Sequence, residues 1–207
     1  MHTFKQIKMK KCLVCSKKNF KLIWNDKIRR SAKKFTKNKE KIFQCTFCDL
    51  VFLDKKRKNL EDSSITRNIF NKNNSIKEFL KFHTPRERKK LNMIKKIVDL
   101  KNKRILESNC GAGVLINILK KESKLTAGLD SEFYRKYVEG KGHNFFSNIN
   151  KINKSKMKFD IIFSLSEIEH KFDPISFLRK LKKVLAANGI IIIRIPNFNN
   201  VYMKLLG

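Results

Sequence analysis

The sequence predicts an α/β fold, a parallel sheet with helices on both faces, preceded by a small module held together by cysteines. Three observations carry this expectation. From about residue 86 onward, short apolar runs alternate with stretches of helical periodicity. Two of those runs, "FDIIFSL" and "IIIIRIP", are almost wholly apolar, as strands buried on both faces must be. Four of the five cysteines fall in the first 60 residues, as two C-x-x-C pairs.

Along the chain, residues 1–60 hold those cysteines, Trp24 and the basic run "KIRRSAKKFTKNKEK". Residues 61–100 read as a polar linker followed by a helical segment, in which Leu91, Ile94, Ile97 and Val98 recur at helical spacing. Residues 101–207 carry the alternation proper. "RILE" reads as a strand, "VLINILKK" as a helix, "KLTAGLD" as a strand, "SEFYRKYVEG" as a helix, "NFF" as a short strand and "FDIIFSL" as a strong one. The segment "DPISFLRKLKKVLAANG" then reads as one helix, with Asp173 as N-cap, Pro174 at its first position and Asn188-Gly189 at its end. "IIIIRIP" follows as the last strand.

The turn after the first strand of this region, "ESNCGAG", is the candidate binding loop. Ligands of open parallel sheets sit beyond the carboxyl ends of the strands, where strand order reverses. Gly111 and Gly113 allow a sharp turn and close backbone approach, and Asn109 tolerates the left-handed region better than most residues. Seventeen residues after Gly113, Asp130 ends the second strand, where a carboxylate can accept both hydroxyls of a ribose. Cys110 reads as a small packing residue.

"ILESNCGAG" is similar to the E-x-G-x-G-x-G loop of class I S-adenosylmethionine-dependent methyltransferases. "FDIIFSLSEIEHKFDPISFLRKLKKVLAANGIIIIRIPN" resembles the later half of the same domain almost end to end. The resemblance covers residues 104 to about 200. It implies a Rossmann-like sheet, S-adenosylmethionine as cofactor, Glu107, Asn109, Gly111 and Gly113 around its methionine part, and Asp130 on its ribose. Asn109 replaces the usual first glycine, and Ser147 and Asn148 stand where many members carry an acid near the adenine. Methyl transfer to oxygen or activated carbon also needs a base. Among the residues just past "FDIIFSL", His170 has the suitable unperturbed pKa, with Glu169 as second choice. The family normally continues into two further strands, so the domain is expected to be C-terminally incomplete, and a second chain could pair with the edge at residues 190–195 to form a homodimer.

Cys12, Cys15, Cys45 and Cys48 form two knuckles with 29 residues between them, a spacing suited to one tetrahedral structural metal, zinc first and iron second. Ser16 and Asp49 stand where glycine commonly follows such knuckles. "QCTFCDLVFLD" also resembles a zinc-binding region found ahead of methyltransferase domains in some sugar-modifying enzymes.

The chain has 49 Lys and Arg against 18 Asp and Glu, a net charge of +31. Such a field attracts polyanions, although lysine, asparagine, isoleucine and phenylalanine are abundant together, as base composition alone would produce. Between the knuckles, Phe35 and Phe43 are the aromatics that could stack on bases among the lysines. Neither a signal sequence nor an apolar stretch of membrane-spanning length is visible, which points to the cytoplasm. Three readings remain: a methyltransferase for a small molecule or glycan precursor such as a nucleotide sugar, an RNA methyltransferase whose basic module grips phosphates, and a non-catalytic binding protein on a degenerate cofactor fold.

Overall fold

The computed structural model describes residues 11–31, 34–53, 76–171 and 173–197. Of the linker and helical segment expected over residues 61–100, residues 61–75 lie outside these, as do the C-terminal residues 198–207. The chain divides into two compact units, residues 1–60 with 172–175, and residues 61–171 with 176–207.

In the first unit, β1 (Phe20–Asp26), β4 (Glu40–Cys45) and β5 (Val51–Leu53) form an antiparallel sheet in the order β1-β4-β5. A small hairpin of β2 (Arg29–Ser31) and β3 (Lys34–Phe35) lies between β1 and β4 in sequence. Phe43 pairs with Phe52 across the strands, and Phe20 meets the Phe52 ring edge-on at 5.1 Å. Among the described residues of this unit the only fully buried apolar side chains are Cys12 and Cys45. A sheet this small lacks the apolar core to hold itself together, so its cysteines have to do so.

The second unit begins with α1 (Ile76–Ile94). The helix runs through Pro85, a residue that removes one backbone bond, while the Thr84 hydroxyl donates to the Leu80 carbonyl at 2.6 Å in the same turn. Next come β6 (Arg104–Ser108), α2 (Val114–Leu119), β7 (Leu125–Leu129), a 3-10 turn (Glu132–Tyr134) leading into α3 (Arg135–Glu139), and β8 (Asn144–Phe146). After these, α4 (Ile149–Ser155), β9 (Phe159–Leu165), a 3-10 turn (Ile168–His170), α5 (Pro174–Lys183) and β10 (Leu185–Arg194) complete the unit. The five strands are parallel, in the order β10-β9-β6-β7-β8. The chain builds outward from β6 to β8, then crosses to β9 and β10, so the order reverses at β6.

Strand alternation sorts the core into two layers. Ile105, Ile161 and Phe163 pack with Leu91 of α1, Leu115, Ile116 and Leu119 of α2 and Val138 of α3. Their neighbours Leu106 and Ile162 point the other way, against Ile152 of α4 and Leu181 of α5. Helices therefore cover both faces, as an all-parallel sheet requires. Each fully buried leucine or isoleucine contributes about 1.5–3 kcal/mol.

Two expectations are corrected. Helix α5 starts at Pro174 as expected but ends at Lys183, because the Val184 carbonyl accepts the Phe159 N–H and Leu185 pairs with Phe159. Asn188 and Gly189 lie within β10, where the register slips between Leu185 and Ile190, and a Cβ on Gly189 would stand 2.9 Å from the Phe159 carbonyl oxygen. Helix α4 is an addition to the elements that the apolar pattern predicts. Its start is set by Asn148, whose side chain accepts the Lys151 N–H at 3.1 Å.

His143, just before β8, is buried, and its Nδ1 lies 2.6 Å from the Thr126 hydroxyl. Burial, with nearby Lys120, lowers its pKa from 6.5 to about 4. The native state therefore holds His143 neutral while the unfolded chain takes up a proton below pH ~6.5. This contribution to stability is complete above pH ~6.5 and is lost as pH falls toward about 4. Urea unfolding across that window should show a shallower decline for His143→Gln than for the unvaried chain.

Candidate cofactor loop and metal centre

Strand β6 ends at Ser108, and residues 109, 111 and 113 then take left-handed conformations, with φ of 60° at Asn109, 52° at Gly111 and 74° at Gly113. Asn109 is the one non-glycine among them, and asparagine populates this region at little cost. A Cβ on Gly113 would meet Ile116 at 3.3 Å and Val138 at 3.4 Å, whereas one on Gly111 would have nothing within 4 Å. The backbone at Gly111 is thus open to a ligand, and that at Gly113 is pressed onto the core.

Asp130, at the tip of β7, ties the loop down. Its Oδ2 accepts the Gly111 N–H at 2.8 Å and its Oδ1 accepts the Ser131 N–H at 2.6 Å. Each oxygen keeps a second lone pair for a ligand hydroxyl. The Asn109 N–H donates to the Leu129 carbonyl at 2.8 Å, closing the gap between the two strand ends. Burial raises the Asp130 pKa, against the lowering effect of these backbone donors.

Glu107 sits inside β6, opposite Gly128 and Phe163. Its carboxyl is buried, and burial, with Glu87 adding to it, pushes its pKa well above the usual carboxylate range. Glu107 Oε2 has no hydrogen-bond partner. An orphaned buried acceptor of this kind fits a cationic or N–H-bearing ligand group. Cys110 is buried, and burial raises its thiol pKa well above normal, which makes it a packing residue. Gly128 makes room for it, since a Cβ there would lie 2.5 Å from the Cys110 Sγ. The sequence does not single out Gly128, because its role depends on a residue in another segment.

Beyond β9 the chain turns at Ser166, with φ 58°, and its N–H donates to the Arg194 carbonyl at 2.8 Å. Of the three polar residues that follow, Glu167 is buried: its Oε2 accepts the Ser164 hydroxyl at 3.0 Å, and its Oε1 lies 3.2 Å from Lys171 Nζ. Glu169 and His170, the residues that the sequence offers as base, are exposed on the 3-10 turn. Asn148 is occupied as the cap of α4.

In the N-terminal unit the four sulfurs of Cys12, Cys15, Cys45 and Cys48 lie within 4.8 Å of one another. Cys12 and Cys48 are 3.5 Å apart at sulfur, as are Cys15 and Cys45. That is far from disulfide distance and close to the ~3.8 Å sulfur separation of a tetrahedral tetrathiolate. The two knuckles match each other. Cys12 N–H donates to Lys17 O at 2.8 Å and Cys45 N–H to Leu50 O at 2.9 Å, while Ser16 and Asp49 adopt φ of 60° and 58° and donate back to Cys12 and Cys45. Backbone N–H groups of Cys48 and Phe47 lower the Cys45 thiol to about 7, whereas burial and the neighbouring sulfurs push Cys48 up to about 12 and Cys15 upward as well. The cluster fits one tetrahedral ion, with all four positions filled by protein.

The unit also exposes aromatic side chains. Trp24, Phe35 and Phe47 are 41%, 62% and 68% exposed, and Lys17 Nζ lies over the Phe47 ring at 5.3 Å. Of the two phenylalanines that the sequence offers for base stacking, Phe35 is therefore available, whereas Phe43 is half-buried and stacked on Phe52.

No helix among the described residues is long and apolar enough to cross a membrane.

The crowding at Gly128 makes a test of the loop's packing. Gly128→Ala should lower stability by about 1–3 kcal/mol, and adding Cys110→Ala should restore part of that, read as non-additivity in a denaturant double-mutant cycle.

A methyltransferase-domain family matches residues 75–204. Among curated proteins, the chain is 29% identical over 113 residues to a tRNA U34 carboxymethyltransferase of Nautilia profundicola, covering 50% of this chain and 38% of that protein. It is 30% identical over 107 residues to a ubiquinone biosynthesis O-methyltransferase of Pelagibacter ubique, covering 47% and 44%. The match therefore spans less than half the length of these relatives. Among solved structures, an S-adenosylmethionine-dependent methyltransferase of Thermotoga maritima aligns at 17% identity with a TM-score of 0.48, covering 70% of this chain and 64% of that one. With the match over residues 75–204 extending across well over half the chain, the chain belongs to the S-adenosylmethionine-dependent methyltransferase-domain family.

Proposed function

We propose that this chain catalyses S-adenosylmethionine-dependent methyl transfer to a small-molecule or glycan-precursor acceptor, such as a nucleotide sugar. The observation that carries the cofactor half is the bond between Gly111 N–H and Asp130. It holds an open glycine backbone beside a carboxylate that retains two free lone pairs, where an adenosine's ribose would be read. When bound, S-adenosylmethionine supplies a methyl group activated by its sulfonium. Glu107 and the backbone of residues 109–113 hold the methionine part, and Asp130 takes the ribose hydroxyls. His170, or Glu169 beside it, accepts the acceptor's proton from the rim after β9, and Glu167, fixed by Ser164 and Lys171, shapes that rim. Positioning of the acceptor in line with the methyl supplies much of the rate.

The N-terminal cysteines hold zinc, which orders the first unit and performs no chemistry because no coordination position is open. The likeness of this module to those of sugar-modifying enzymes supports the glycan-precursor acceptor.

A second reading, methylation of RNA, is favoured by the exposed Trp24, Phe35 and Phe47, which suit base stacking. Charge alone does not favour it. Twelve of the 43 residues in 11–53 are Lys or Arg, close to the 49 of 207 in the whole chain.

Three outcomes are expected. Asp130→Ala should weaken S-adenosylmethionine binding by about 1–3 kcal/mol, read by calorimetry; binding that is unchanged removes Asp130 from the site. Elemental analysis should find one zinc per chain, and Cys45→Ser should abolish both the metal and the ordered structure of the first unit. Labelled methyl groups should pass to a nucleotide-sugar pool rather than to total RNA, and the opposite result establishes the second reading.

A further inference from the structure

All five strands run the same way, so their first residues share one end of the sheet and the cofactor loop lies at the other. The two ends differ in charge. In the segments that lead into the strands, residues 95–103, 120–124, 140–143, 156–158 and 184, ten of 22 residues are lysine. In the segments that follow the strands, residues 109–113, 130–134, 147–148, 166–171 and 195–197, one of 21 is, and Glu167 pairs with that one, Lys171. Base composition would load both ends alike, so the asymmetry belongs to the fold.

Backbone contacts set these segments side by side in the strand order. The Lys124 N–H donates to the Lys103 carbonyl at 3.0 Å and the Asn102 N–H to the Glu122 carbonyl at 2.7 Å, which joins the entries of β6 and β7. Lys120 Nζ donates to the Lys141 carbonyl ahead of β8, and Lys158 Nζ to the Lys183 carbonyl ahead of β10. Nearby acids are already engaged, Glu122 by Lys95 and Asp160 by Arg104. Lys101, Lys121, Lys124, Lys141 and Lys156 are exposed, and among the described residues none of them makes a salt bridge. From β9 across β6 and β7 to β8 they cover three strand spacings, about 14 Å.

A line of unpaired cations suits a partner whose charges also lie in a line. Along one nucleic-acid strand a phosphate recurs every ~3.4 Å of rise, so about four phosphates match this span. A lipid surface fits less well, because anchoring there takes apolar side chains beside the lysines, and Ile97 is alone in these segments among the large exposed apolar residues described. No exposed aromatic of the described residues lies in them to stack on a base, which leaves the phosphates as the group contacted.

We infer that the strand-entering end of the sheet is a docking surface for the phosphate backbone of a nucleic acid, held by the lysine row from Lys156 to Lys141. This goes beyond the cofactor reading and does not depend on it. Strand β7, five residues long, sets about 17 Å between this surface and Asp130, so the docked backbone is a tether rather than the group methylated. The competing explanation is local: α2, α3, α4 and α5 all end at this face, where lysines offset the negative ends of helix dipoles.

The salt dependence of binding separates the two. The full chain is titrated with a fluorescent RNA duplex of about 20 base pairs, and with a DNA duplex of the same sequence, over a range of salt. Neutralising Lys101, Lys124 and Lys156 together to glutamine should flatten the log–log slope by about 1 per lysine, for both duplexes alike. Neutralising Lys21, Lys27 and Lys41, exposed on the first unit, should change it by less than about 1 in all. Circular dichroism checks that each variant folds, and Lys124→Gln alone, worth about 1 in slope, serves if the triple variant does not.

Equal flattening by both triple variants makes net charge the cause and overturns the inference. An unchanged slope with a lowered melting temperature assigns the lysines to the helix ends and overturns it too. So does failure of the unvaried chain to bind either duplex at low salt, or loss of binding to phosphatidylserine vesicles with duplex binding intact. Affinity for S-adenosylhomocysteine, measured on the same variants, should not move, so failure of this inference and failure of the cofactor reading are seen separately.

Discussion

The hydrogen bond from Gly111 N–H to Asp130 Oδ2 is the contact on which the rest of the site depends. It joins the tips of β6 and β7, the adjacent strands from which the sheet builds outward. The bond can form only because residues 109, 111 and 113 each turn left-handed, which folds the loop back on itself before α2 begins. Packing beneath fixes the same geometry: Cys110 fills the space that Gly128 leaves, and Gly113 lies against Ile116 and Val138. A side chain at either glycine would move the loop away from Asp130. At Gly111, by contrast, a side chain would meet no protein atom within 4 Å.

Electrostatically the site runs against the molecule. The chain carries a net +31, yet Glu107, Asp130 and Glu167 converge below the loop, with Glu87 behind them. Burial raises the pKa of Glu107 and Asp130 by disfavouring their charged forms. A cationic ligand beside them favours the ionised form and is itself favoured by it. S-adenosylmethionine is such a ligand, since both its sulfonium and its α-ammonium are positive. The chain thus sets a cluster of acids beneath the loop of a strongly basic molecule.

Much of this is legible in the sequence because local chemistry decides it. The alternation of "RILE", "KLTAGLD", "NFF", "FDIIFSL" and "IIIIRIP" with helical stretches locates all five parallel strands, and the left-handed preference of asparagine accounts for Asn109. The paired knuckles are equally plain, down to Ser16 and Asp49, which take the conformation glycine usually supplies. Contacts between distant segments are not legible. Nothing local ends α5 at Lys183, because "KKVLAAN" contains no breaker before Asn188; the pairing of Leu185 with Phe159 ends it. The fit of Gly128 to Cys110 joins two segments, and the approach of Glu87 to Glu107 depends on how α1 packs on α2. Glu169 and His170 follow the strand as expected but stand exposed, while their neighbour Glu167 turns inward.

The most direct test is an amide nuclear magnetic resonance spectrum of the chain titrated with S-adenosylhomocysteine. The account predicts saturable shifts at Gly111, Gly113, Asp130 and Ser131, the amides joined by the loop and its acid, with little change in residues 11–53. A saturable titration that leaves those four amides in place and moves another part of the molecule would contradict it.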